Sequence, residues 1–100
     1  MKNIGKAICD ARKKVDISQG ELADKAGVSQ TYFSLVERGF AQPSLQLIER
    51  VADVLGLPVY YLVFMALDVD TEVKEGLRDS YKKLRPAISG MIEGFFIDAK

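Results

Sequence analysis

The chain has 100 residues, and its 14 lysines and arginines are matched by 14 aspartates and glutamates, a zero net charge that by itself argues against a nucleic-acid partner. The length suits one domain with at most a short appended element, and 48% hydrophobic against 28% charged residues is the composition of an ordinary globular chain rather than a disordered one. With no histidine and a single cysteine, Cys9, one chain cannot assemble a disulfide framework, a zinc site, a Ser-His-Asp triad or a Cys-His pair, so no metal, no cofactor and no enzymatic activity are expected.

Ile4, Ile8, Ala11 and Val15 recur at helical spacing and predict a first amphipathic helix over about residues 3–15. The residues leading into it, Met1-Lys2-Asn3, carry no apolar stretch of the kind a secretory signal needs, and a cytoplasmic protein is expected. Ser18-Gln19-Gly20-Glu21 has the form of a capping box, in which the serine accepts from the N–H three residues on and the glutamate reaches back. A second helix follows over 19–26. Gly27 ends it, and Ser29 caps a third over 30–38, which stops at Gly39. Pro43-Ser44 opens a fourth over 45–55, with Leu47, Ile48, Val51, Ala52 and Leu55 on one face and Gly56 behind it. Pro58 suits the first turn of a fifth over 59–66. The longest apolar run, Val59 to Leu67, is nine residues, against the roughly 20 that a membrane-spanning helix requires.

Beyond Asp70, the residues Val73, Leu77, Tyr81, Leu84, Ile88, Met91 and Phe95 are spaced 4, 4, 3, 4, 3 and 4 apart, close to a 3.5-residue seam. Pro86 interrupts it. A proline inside a helix costs about 3 kcal/mol and steers the preceding Arg85 away from helical dihedrals. Two helices are therefore expected, over 71–84 and 87–97, with a break or kink between them. No strand pattern competes anywhere, and the fold class is all-α. The seam, with Ile92 and Phe96 beside it, is more apolar than a short appendage needs, as is Tyr60-Tyr61-Leu62-Val63-Phe64-Met65. Either the two segments pack together within one chain, or the seam forms a homodimer interface with Lys74, Arg78, Lys82 and Lys83 outside it. The expected organisation is a helical domain over 1–67 and a C-terminal helical extension over 68–100, the candidate dimerisation element.

The informative stretch is Gln19 to Arg38, two short helices around Gly27. Ala23 must be small where the next helix crosses it, Gly27 turns the chain without a Cβ penalty, and Leu22, Ala26, Val28, Phe33 and Val36 supply the apolar contact. Together with Ile8, Arg12, Ser18-Gln19-Gly20-Glu21-Leu22-Ala23, Gly27-Val28-Ser29-Gln30, Glu37-Arg38-Gly39, Pro43-Ser44-Leu45 and Leu55-Gly56-Leu57, these residues resemble the lambda-repressor/Cro (XRE) family of helix-turn-helix domains. The resemblance runs from Ile4 to about Val63. It implies a five-helix domain binding double-stranded DNA, usually as a homodimer on a palindromic operator, and acting as a repressor rather than an activator. Restriction-modification controllers and antitoxins share such domains. The alternative is a helix-turn-helix scaffold used as a protein–protein adaptor or antitoxin-like partner, with no DNA contact. A small-molecule or protein effector is not specified by these residues.

On a helical wheel over 30–38, Phe33 and Val36 lie on one side with Tyr32 at its edge, while Gln30, Thr31, Ser34, Leu35 and Arg38 lie on the other. The second side faces solvent or a major groove. Gln30 and Thr31 suit base edges, since glutamine pairs bidentately with adenine and threonine offers a hydroxyl and a methyl; Ser34 and Leu35 complete the base-reading set. Leu35 either meets a thymine methyl or is covered by the loop at 40–43. Tyr32 either donates to a phosphate or is a core-edge aromatic. Arg38, Lys13, Lys14 and Gln42 are further phosphate candidates. The resemblance implies that Gln19 touches a phosphate and braces Gln30, and that Arg12 and Glu37 form a largely buried structural ion pair. Cys9 reads as a small boundary residue.

Residues 1–40 carry seven basic and five acidic groups, +2, and residues 41–100 carry seven and nine, −2. The asymmetry has the sign that DNA binding requires. The loop Gly39-Phe40-Ala41-Gln42-Pro43 has no cation where relatives often place one, which predicts a shallow salt dependence.

Overall fold

Serines set where three helices begin. The computed structural model describes residues 3–97; Lys2, Asp98 and Lys100, counted in the charge balance, lie outside the described residues. The helices are α1 (Ile4–Val15), α2 (Gln19–Lys25), α3 (Gln30–Glu37), α4 (Leu45–Leu55), α5 (Val59–Met65), α6 (Val69–Glu72) and, after a 3-10 turn at Glu75–Leu77, α7 (Arg78–Phe96). Ser18, Ser29 and Ser44 stand in extended backbone ahead of α2, α3 and α4. Their hydroxyls accept from the N–H groups of Glu21, Tyr32 and Leu47, each at 3.1 Å. The return half of the expected capping box is not made: the Glu21 carboxylate pairs instead with Lys25, 3.1 Å away and one turn on. No strand occurs among the described residues, and no helix there is long and apolar enough to cross a membrane.

Helices α1 to α5 close around one core, in which Ile8, Leu22, Phe33, Val36, Val51 and Leu62 are fully buried. Two glycines make the arrangement possible. Gly27, at φ +79°, turns the chain between α2 and α3 in a region that side-chain-bearing residues rarely enter. Gly5 lies where α1 crosses α3, and a Cβ there would run into the Val36 carbonyl oxygen. That oxygen belongs to a helix and cannot retreat, so the α1–α3 distance depends on the missing side chain.

The tail departs from the expected helices at 71–84 and 87–97. The break falls at Val73 and Lys74, whose ψ values of 134° and 137° are extended, and α7 then runs unbroken through Pro86. Side chains explain both outcomes. At the break, Arg78 donates Nε to the Val73 carbonyl at 3.1 Å and Nη2 to that of Asp70, satisfying groups a helix would have paired. Around Pro86, α7 is fastened on both sides. Tyr81 donates its hydroxyl to the Phe64 carbonyl at 3.2 Å and its ring lies 5.6 Å from that of Phe64; Arg85 donates to the Met65 carbonyl at 3.0 Å. Beyond the proline, Ile92 packs on the core and Glu93 reaches α1 and α5. The hydrogen bond lost at Pro86 is offset by tertiary contacts that periodicity does not reveal.

The seam itself divides. Tyr81 and Ile88 are half-buried within the chain, and Val73 precedes the helix in the extended break. Leu77, Leu84, Met91 and Phe95 stay exposed, at 55%, 55%, 59% and 78%.

Glu93 is the point at which tail and domain meet. Its carboxylate accepts from Lys14 Nζ and from the Tyr61 hydroxyl, both at 2.7 Å. Burial, and then the bond to Glu93, push the Tyr61 phenol far above its ordinary range. Burial alone would raise the Glu93 carboxyl, but the bonds from Lys14 and Tyr61 outweigh it and hold the group below the usual carboxylate value. A lowered acid stabilises docking above its unfolded pKa and loses that contribution as pH falls through the folded one. A raised phenol contributes fully below its unfolded value and loses that contribution as pH rises beyond it. Docking of α7 should therefore weaken in acid as pH falls below the ordinary carboxylate value of 4.5 and in alkali as it rises above the ordinary phenol value of 10.0. Amide chemical shifts of α7 against pH should show both limbs. Glu93→Gln should remove the acid limb and Tyr61→Phe the alkaline one.

Candidate nucleic-acid interface

The face of α3 divides as the wheel expects. Phe33 and Val36 are fully buried against the core, whereas Gln30 and Thr31 are exposed on the first turn and Ser34 and Leu35 are half-exposed behind them. Gly20 leaves room for the base-reading candidate at the tip, since a Cβ there would stand 3.1 Å from Gln30 Oε1. Tyr32 is half-buried with its ring against the core.

The back of α3 is held by a charged node. Arg12 donates Nε to Glu37 Oε2 at 2.8 Å and Nη2 to Glu37 Oε1 at 3.2 Å, a bidentate pair, while its Nη1 donates to the Ile17 carbonyl at 3.0 Å. The two side chains are 13% and 3% exposed. The bond to Glu37 raises the Arg12 pKa against the opposing effect of burial. Gln19 Nε2 donates to Glu37 Oε1 at 2.9 Å. The bracing expected between Gln19 and Gln30 is thus replaced: a buried carboxylate demands donors for its lone pairs, and Gln19 supplies one. Cys9 borders the node, its Sγ 3.9 Å from Arg12 Nη2.

The cationic candidates separate. Lys13 is exposed at the end of α1. Lys14 stands two residues beyond Arg12, about 200° around the helix, and its ammonium is paired with Glu93 at 2.7 Å. That pairing turns it toward the tail instead of toward α3. Arg38 is exposed just past α3, and its guanidinium carbon lies 5.3 Å from the centroid of the Phe40 ring. Gln42 is exposed in the same loop.

Two residues that no motif marks bear on this surface. Phe40 belongs to the loop without cations, yet its ring is 76% exposed beside Arg38. Glu93 lies off the surface, on the tail, and acts on it by engaging Lys14; its partners lie 79 and 32 residues away. The uncharged loop was the available signal for the first, and none existed for the second.

Residues 10–62 match a family model described as helix-turn-helix. Over 61 residues the chain is 43% identical to the HTH-type transcriptional regulator SinR of Bacillus subtilis (strain 168), a match covering 60% of this chain and 55% of SinR. The chain therefore spans about half the length of that relative. It is 29% identical over 90 residues to the cryptic phage CTXphi transcriptional repressor RstR of Vibrio cholerae, covering 90% of this chain and 78% of RstR. The crystal structure of the clp gene regulator ClgR from Corynebacterium glutamicum superposes with a TM-score of 0.64 at 24% identity, over 92% of this chain and 88% of that one. The shared fold thus reaches beyond the matched 53-residue segment (10–62) into the tail.

The node makes one expectation directly measurable. Glu37→Ala strands the Arg12 guanidinium and removes the partner of Gln19, and should lower stability by about 3–5 kcal/mol in urea unfolding. Replacing both members, Arg12→Met with Glu37→Leu, should recover most of that loss. Equal losses in the single and double variants would show that the cost lies elsewhere than in the stranded charge.

Proposed function

We propose, from the premise that this chain belongs to the helix-turn-helix family of the lambda-repressor/Cro (XRE) type, that it is a cytoplasmic, sequence-specific DNA-binding transcriptional regulator. The observation that carries the reading is the division of α3. Its inner side is buried and its C-terminal end is fastened by Arg12 and Gln19 through Glu37, while Gln30, Thr31, Ser34 and Leu35 face outward from a fixed helix. A B-DNA major groove about 12 Å wide admits such a helix N-terminus first. Gln30 and Thr31 read bases, Ser34 and Leu35 extend the reading face, and Arg38, Lys13 and Gln42 meet phosphates. Repression is the mode we favour, since RstR, which this chain matches over 90% of its length, is called a transcriptional repressor.

The regulator works as a homodimer on a palindromic operator. One recognition helix covers one half-site, and two half-sites one helical turn apart, about 34 Å, require two copies. The surface for the second copy is the exposed stripe formed by α7 and the turn before it. Leu77, Leu84 and Met91 are seven residues apart, with Phe95 one turn on. Ser80, Ala87 and Gly94 flank them at the same seven-residue spacing and are small enough to let a second helix approach. The same stripe on another copy is self-complementary, which is the form that two-fold association takes.

Selection from a random duplex pool should yield a palindromic motif bound more than about tenfold better than random DNA, a low threshold beside the specificity ratios usual for such proteins. Alanine at both Gln30 and Thr31 should abolish that selectivity with the melting temperature unchanged. Failure to enrich any sequence would sink the DNA reading and leave the adaptor. For the dimer, Leu84→Glu with Met91→Glu should sediment as a folded monomer, since both side chains are exposed within one chain. A persistent dimer would place the interface elsewhere.

A further inference from the structure

We propose that Arg38 and Phe40 act as one mixed contact on a single nucleotide of the operator backbone. The Arg38 guanidinium meets the phosphate, and the Phe40 ring lies on the adjoining deoxyribose. This rests on the DNA-binding reading above and adds a residue that helix-turn-helix reasoning does not supply.

The segment Gly39 to Leu45 links the recognition helix to α4 and holds no charged side chain. If it touches the DNA backbone, it does so with neutral atoms. Its first residues are also held in place. Gly39 turns the chain at φ +84°, and the N–H groups of Phe40 and Ala41 both donate to the Leu35 carbonyl, at 2.9 and 3.2 Å. Pro43 is buried and anchors the far end. Phe40 is therefore presented from a pinned turn beside the outward residue Leu35, and it is 76% exposed.

The Arg38 guanidinium sits 5.3 Å from the ring centroid. An arginine resting on an aromatic face keeps its N–H edges free for phosphate oxygens and loses less freedom on binding, because the ring has already restricted it. The sugar next to a phosphate offers C–H surface, which is what an exposed phenyl ring can cover. The two halves of the contact differ in their dependence on salt. A guanidinium on a phosphate releases counterions, whereas a ring on a sugar releases only water.

That difference is the test. Binding of the selected operator duplex is titrated at several salt concentrations with the parent chain, Phe40→Ala, Arg38→Ala and the double variant. Phe40→Ala should bind about tenfold more weakly at every salt concentration, as expected for the loss of an aromatic's apolar contact, with an unchanged slope and an unchanged melting temperature. Arg38→Ala should make the slope shallower by about 0.9, the value for one phosphate. The double variant should lose less than the product of the two single losses, since each residue positions the other. Parent-like binding by Phe40→Ala, or a slope that changes with it, overturns the contact. If that happens while the Gln30 and Thr31 alanine variants still lose selectivity, only this inference fails. If the parent chain selects no DNA, the underlying reading fails with it.

Discussion

The orientation of α3 depends on one carboxylate. Glu37 is almost wholly buried at the end of the recognition helix, and an ionised group in that position must be fully satisfied or the helix must move. Arg12 answers it from α1 with two hydrogen bonds, and Gln19 answers it from the first turn of α2 with a third. Arg12 in turn ties the Ile17 carbonyl, which leads into the Ser18 cap. Three helices and one connection therefore converge on a single polar point in an otherwise apolar interior. Buried ion pairs contribute little net stability against well-packed apolar substitutes, but breaking one is costly, so they penalise wrong arrangements. Here the arrangement they enforce is the rotation of α3 that turns Gln30 and Thr31 outward.

The rest of the packing follows from the same closeness of α1 and α3. Gly5 lets the two backbones approach until a methyl group would collide with the Val36 carbonyl. Because Val36 and Glu37 are neighbours, the crossing that needs Gly5 is also the crossing that brings Arg12 within reach of Glu37. A glycine that weakens α1 as a helix is thus required by the contact that orients the recognition surface.

The tail is bound into this domain more closely than an appendage would be. Glu93 takes Lys14 from one end of α1 and the buried Tyr61 from α5, and the same α7 leaves Leu84, Met91 and Phe95 exposed. A dimer built on that stripe would hold the two recognition helices through helices fastened to their domains, not through flexible linkers. The neutral overall charge also acquires a meaning here. Lys14 is engaged by the tail and the loop after α3 is uncharged, so the surface around α3 is lightly cationic.

Local chemistry made most of the first 67 residues legible. Serine caps, the turn glycine Gly27 and 3.6-residue periodicity act within a few residues of chain, so five helices and the two faces of α3 could be read without a third dimension. The tail could not be read this way. Pro86 is unfavourable by every local rule, and contacts distant in sequence keep α7 continuous through it, among them those of Tyr81, Arg85 and Glu93, bonded to groups 17, 20 and up to 79 residues away. The same limit applied to side chains: Gln19 turned to Glu37, and Lys14 to Glu93, because buried or half-buried carboxylates must find donors wherever the fold brings them. Short-range hydrogen bonds and periodic burial were enough to place the first five helices and to separate the inner from the outer side of α3. Tertiary structure alone decided where the tail breaks, which side of its seam stays open and which charges are already engaged, because each of those outcomes is settled between atoms that are distant along the chain.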